Sequence, residues 1–100
     1  MQIEFSEIAK QSLAEQIAFL ELIWTNKEIT NLLNDIKKVL VNLKSNKYKH
    51  YQLFARDIRS ALIGKKHVRM FFRKENDNLI KVLLFFDVRQ NPEKIIELLK

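Results

Sequence analysis

The chain has 100 residues, of which 47% are hydrophobic, enough to build one domain around its own core. It has no cysteine and only two histidines, His50 and His67, which excludes a disulfide framework and a thiolate zinc site and leaves no histidine cluster for a metal. The net charge of +6 is uneven: residues 1–50 carry seven lysines against six acids, and residues 51–100 carry eleven Lys and Arg against six.

In chain order, Met1 to Phe5 alternates apolar and polar residues and reads as a short strand with one wet face. Ser6 is placed to cap a helix that runs to about Trp24, with Ala9, Leu13, Ile17, Leu20 and Trp24 on one face. Trp24 is read as packing at the helix junction. Thr25-Asn26-Lys27-Glu28 fits a capping box and opens a second helix. Ile29, Leu32, Leu33, Ile36, Val39, Leu40 and Leu43 keep the helical period there. The abrupt junction predicts an antiparallel helical hairpin.

Ser45 to Gln52 is polar and is expected to be a loop. Three strands follow: Arg56 to Ile63, His67 to Lys74 and Leu79 to Phe86, with turns at Gly64-Lys65-Lys66 and Glu75 to Asn78. In the second of these, Val68, Met70 and Phe72 share one face, and His67, Arg69, Phe71 and Arg73 the other. Leu79 to Phe86 is the most apolar run. It is too short for a membrane span, which takes about 20 residues, and reads as a central strand buried on both faces. Asn91 then caps a short helix with Pro92 in its first position. The expected class is α+β: an N-terminal strand and a two-helix hairpin packed on a mostly antiparallel sheet, which a three-stranded meander completes, and a short C-terminal helix, all in a single domain of residues 1–100. The N-terminal MQIEFSEIAK has no basic region leading an apolar run, so a cytoplasmic location without membrane contact is expected.

Charge marks the candidate binding region. From Lys44 to Lys74 there are ten basic residues and one acid, Asp57, and all five arginines lie in the second half of the chain. Such a zone favours nucleic acid or an acidic protein, the plain alternative being a solvated surface. Arg59, Arg69 and Arg73 are expected on the open sheet face. Tyr48, His50 and Tyr51 alternate with Lys47 and Lys49; aromatics among lysines can stack on RNA bases, or the tyrosines can pack on the domain edge.

The run Ile58 to Ile63, then His67-Val68-Arg69-Met70-Phe71-Phe72-Arg73, then Leu79 to Phe86, then Asp87-Val88-Arg89-Gln90-Asn91-Pro92 resembles the C-terminal half of RelE/ParE toxins of bacterial type II toxin–antitoxin systems. The first strand and helical hairpin match that family in order and length. The resemblance implies a toxin held inactive by a cognate antitoxin, an acidic or amphipathic peptide lying over the hairpin and sheet edge. It implies no metal or cofactor. Of the family's two targets, mRNA cleavage on the ribosome, as in RelE-like members, is the one expected here, and non-enzymatic inhibition of DNA gyrase, as in ParE-like members, is the alternative. By position, Arg69 matches an arginine that the nucleases keep, Arg89 a basic position after the last strand, and Arg59 a Lys or Arg position nearby. The nucleases also place a Tyr or His-Tyr pair near the C-terminus, whereas here no Tyr follows Tyr51 and no His follows His67.

Metal-free RNA cleavage needs a base, an acid and cations for the charged phosphorane. Arg69 and Arg89 are the candidate cations, because guanidinium forks match phosphate oxygens, and Arg59 would complete a phosphate-binding cluster. His67, two residues from Arg69, is the candidate base or a turn-edge residue without a role. Asp87 is a second candidate base or the ion-pair partner of Arg89. The expected RNA-binding residues are Arg59, Arg73, Lys47, Lys49 and Tyr51. A third reading is a basic RNA-binding or interaction domain without toxicity.

Overall fold

A computed structural model describes residues 1–23 and 25–99; Trp24, expected at the helix junction, lies outside the described residues. The elements are β1 (Gln2–Phe5), α1 (Glu7–Leu20), α2 (Asn26–Lys44), a single 3₁₀ turn (Tyr48–His50), β2 (Gln52–Ala55), β3 (Ile58–Ile63), β4 (Val68–Asn76), β5 (Leu79–Asp87) and α3 (Glu93–Leu99). The five strands form one sheet in the order β1-β5-β4-β3-β2. β1 runs parallel to β5 and the other neighbours are antiparallel, so the fold is α+β with a mixed sheet. No helix among the described residues is long and apolar enough to cross a membrane.

The local signals explain the helix starts. Ser6 Oγ accepts from the Ala9 amide at 3.0 Å, which satisfies a donor of the first turn of α1. At α2 the capping box is complete: Thr25 Oγ1 accepts from the Glu28 amide and Glu28 Oε1 accepts from the Thr25 amide. Leu32, Ile36, Val39 and Leu43 then bury against the sheet. Asn91 Oδ1 accepts from the Glu93 amide at 3.1 Å at the start of α3.

Three expectations are corrected. First, α1 ends at Leu20, four residues short of Trp24, and packs along β5, with Ala9 and Leu20 in the same core cluster as Leu32, Ile36, Val39 and Leu43 of α2. The reason lies at the edge of β5. β1 pairs with β5 only as far as Phe5↔Val82, and beyond it the β5 edge needs other partners. Ser6 Oγ donates to the Leu83 carbonyl at 3.1 Å, and Ser12 Oγ accepts from the Phe85 amide at 3.0 Å. α1 therefore takes the place of a missing strand. Second, Gln52–Ala55 is a strand, not loop, and the following strand starts at Ile58 rather than Arg56. Arg56 and Asp57 form the turn between them, with Arg56 at φ 48° where hairpins favour glycine or asparagine. Third, the added strand makes β4 the middle of the sheet; β5 is interior but second from the edge.

The core lies on both sheet faces. On the α2 side, Val68, Met70, Phe72, Ile80, Val82 and Phe85 pack with Leu32, Ile36, Val39 and Leu43. On the other side, Phe71, Leu84 and Phe86 pack under Ile95 of α3. β5 is therefore buried on both faces, and the expected alternation of β4 holds. Because α3 is short, the part of this second face that belongs to β2 and β3 is left uncovered by a helix.

Candidate functional site

Arg69 stands on that open face. It lies opposite Leu62 of β3 and Phe86 of β5 in the sheet register. Its Nη1 donates to Ser60 Oγ at 2.8 Å and to Gln52 Oε1 at 3.3 Å. The guanidinium is thus oriented by a hydroxyl and a carboxamide from the two strands beside it, both neutral, so its charge is not neutralised by them. Four residues along the strand, Arg73 Nη2 pairs with Glu75 Oε1 at 2.9 Å. Phe54 of β2 packs edge-on against Phe71 with ring centroids 4.9 Å apart. A groove of about 800 Å³ runs from the Arg56-Asp57 turn to α3, lined by Phe54, Ile58, Arg56, Arg73, Glu75, Ile96 and Leu99 among others. An apolar floor and a rim of mixed charge, Arg56 and Arg73 with Asp57 and Glu75, sit side by side there, a surface of the kind that protein partners use.

The structure does not bring Arg59, Arg69 and Arg89 into one cluster. Arg59 and Ser60 are successive strand residues, so their side chains leave opposite faces of β3, and Arg69 bonds Ser60. Arg59 turns to the α2 side. Its Nη1 donates to the Tyr51 carbonyl at 2.8 Å and to the Lys49 carbonyl at 3.5 Å, and its guanidinium lies 5.3 Å from the centre of the Tyr48 ring. There it ties the 3₁₀ turn to β3. Arg89 forks onto Asp87 instead, with Nε to Oδ1 at 3.0 Å and Nη2 to Oδ2 at 2.7 Å, while its amide also donates to Oδ1 at 2.9 Å. This pair lines a shallow pocket with Glu15, Gln16 and Phe19 of α1. The Arg89 guanidinium holds the buried Asp87 carboxyl below its usual range, against the opposing effect of burial. Asp87 is thus an ion-pair partner, one of its two expected roles. His67 sits in the turn before β4, where its carbonyl accepts from the Val88 amide at 3.0 Å and its charge also lowers the Asp87 carboxyl.

The tyrosines face inward. Tyr48 is 8% exposed; its hydroxyl donates to the Asp57 carbonyl and accepts from the Lys74 amide. Burial pushes its phenol above the usual range. Tyr51 packs edge-on against Phe72 and its hydroxyl accepts from Asn42 Nδ2 at 3.0 Å. Of the two readings open for this segment, packing on the domain edge is the one observed for both rings. Lys47 and Lys49 remain exposed beside them.

Sequence reasoning missed Ser60 and Gln52, the residues that hold Arg69. Ser60 carried a signal: a serine inside an apolar strand is 2% exposed here and a buried hydroxyl needs a partner. Gln52 carried none while its segment read as loop. Comparison with protein-family models, with characterised proteins and with solved structures found no significant match to this chain.

Proposed function

We propose that the chain is a RelE/ParE-like toxin that acts by binding a macromolecular target through the open sheet face around Arg69, in the manner of the gyrase-inhibiting members. The carrying observation is the company that Arg69 keeps. Ser60 and Gln52 engage one nitrogen of its guanidinium and leave other donors for a partner. Metal-free RNA cleavage would need a base and an acid beside that cation. Of the candidate proton carriers, Tyr48 and Tyr51 use their hydroxyls inside the fold, Glu75 holds Arg73, Asp87 holds Arg89, and His67 is set in the turn before β4. A binding mechanism requires no proton carrier, only a complementary surface. The cognate antitoxin would silence the protein by covering this face, its acids meeting Arg69 and its apolar residues meeting Phe54 and Leu62, both exposed.

Induction in cells, followed by labelled leucine and thymidine incorporation, tests the reading. Early loss of DNA synthesis with a DNA-damage response is the expected result. An early stop in translation with DNA synthesis intact would return the function to ribosome-dependent mRNA cleavage. Unimpaired growth would overturn the toxin reading.

A further inference from the structure

Helix α2 sorts its charges by side. Its two acids turn toward the β3–β4 turn: Glu28 Oε2 pairs with Lys65 Nζ at 3.4 Å, and Asp35 Oδ2 accepts from the Gly64 amide at 3.0 Å. Its four lysines, Lys27, Lys37, Lys38 and Lys44, are all exposed, and none takes part in the four ion pairs among the described residues. With 3.6 residues per turn, Lys37 and Lys44 share one flank of the helix and Lys27 and Lys38 share another, about 100° away. Thr30, Asn34 and Val41, all exposed, run between the flanks. Past the helix end, Lys47 and Lys49 continue the same sign while Tyr48 between them turns into the core. The result is a lysine-flanked ridge with the helix's two acids on one side of it, Asp35 beside Lys38.

That geometry selects among polyanions. At 1.5 Å rise per residue, Lys27 to Lys44 spans about 26 Å, on a rod about 10–12 Å across. The major groove of B-form DNA is about 12 Å wide and admits such a rod, which sets a cation flank toward the phosphates of each rim. The major groove of duplex RNA is too deep and narrow to admit it. Single strands are gripped by exposed aromatic rings, and Tyr48 and Tyr51 are turned inward. We propose that the outer face of α2, continued by Lys47 and Lys49, docks duplex DNA through its phosphates with little sequence preference. The surface is on the opposite side of the sheet from Arg69 and does not rest on the toxin reading.

The test is fluorescence anisotropy of a short labelled DNA duplex with the full chain over a range of salt concentrations. Each lysine that neutralises a phosphate contributes about −0.9 to the slope of log affinity against log salt, so the triple variant Lys37→Gln, Lys38→Gln, Lys44→Gln should flatten the slope by about 2.7. Arg69→Ala should leave the slope unchanged. Arginine at the same three lysine positions keeps the charge and should keep binding; if that variant also releases DNA, charge is not the cause and the proposal fails. An unaltered slope in the glutamine variant, no binding at low salt, or equal affinity for duplex RNA, single-stranded DNA or polyglutamate would each overturn it.

Discussion

Replacing Arg59 by alanine should destabilise the fold and leave the open sheet face as it is. The magnitude follows from its three contacts. The bond from Nη1 to the Tyr51 carbonyl, at 2.8 Å, is charge-assisted and worth about 1.5–3 kcal/mol. The 3.5 Å approach to the Lys49 carbonyl is at the limit of a hydrogen bond and adds little. The guanidinium over the Tyr48 ring, at 5.3 Å, adds about 0.5–1 kcal/mol. Arg59 is only half-buried, which favours the low end and a total of about 2 kcal/mol. In a chain of 100 residues each kcal/mol moves Tm by about 4–8 °C, so a fall of about 8–16 °C is expected by circular dichroism or calorimetry. Arg59→Lys keeps a cation near Tyr48 without the planar fork and should fall between. A Tm within about 2 °C of the parent would refute the structural role, given that sensitivity. So would loss of growth inhibition at unchanged stability, which would mean that Arg59 acts on the target.

The other predictions concern the open face, the buried carboxylate and the core. Arg69→Ala removes two bonds to neutral partners at a half-exposed site, so it should cost less than about 1 kcal/mol and abolish growth inhibition with an unchanged circular dichroism spectrum; full toxicity would remove Arg69 from the binding face. For Asp87 the folded-state pKa lies below the ordinary value of 3.8, so the pair's stabilisation is complete above the unfolded value and is lost as pH falls through the folded one. The stability gap between the parent and Asp87→Asn, about 1–2 kcal/mol after discounting the half-exposed Arg89, should therefore be level from about pH 5 upward and close in acid; a gap that widens below pH 3.8 contradicts the assignment. Tyr48→Phe strips a buried hydroxyl from the Asp57 carbonyl and Lys74 amide and should cost about 1–3 kcal/mol in urea unfolding, whereas no loss would mean that water replaces it. Phe72→Ala empties a fully buried site between two tyrosines and should cost about 3–5 kcal/mol; a loss below 1 would show that the core collapses to fill it.

Local chemistry in the sequence determined much of this molecule. The apolar period of Ile29 to Leu43, the Thr25–Glu28 capping box, the alternation of Val68 to Arg73 and the double-faced burial of Leu79 to Phe86 are all short-range properties, and each has its structural counterpart. Exposed, glycine-free segments gave no such signal. Gln52–Ala55 is a strand because β3 offers it a free edge, not because its own residues demand it. Likewise α1 follows β5 because the end of β1 leaves backbone groups to be satisfied by Ser6 and Ser12. The arginines show the same division. Sequence placed Arg69 on the face opposite Val68 and Met70, and it lies there. Arg59 was expected on that open face as well, whereas it shares the α2 side with Ala61 and Ile63, where a charge among apolar residues needs partners. Tertiary structure supplied them in the Tyr48 ring and the Tyr51 carbonyl, whereas the tie of Arg89 to Asp87 is local, two residues apart, and was one of the two roles expected for Asp87. Period and capping depend on neighbours within a few residues, and these the sequence displays. Which cation is left free for a partner depends on acceptors brought in from other elements, and only the folded chain assembles those.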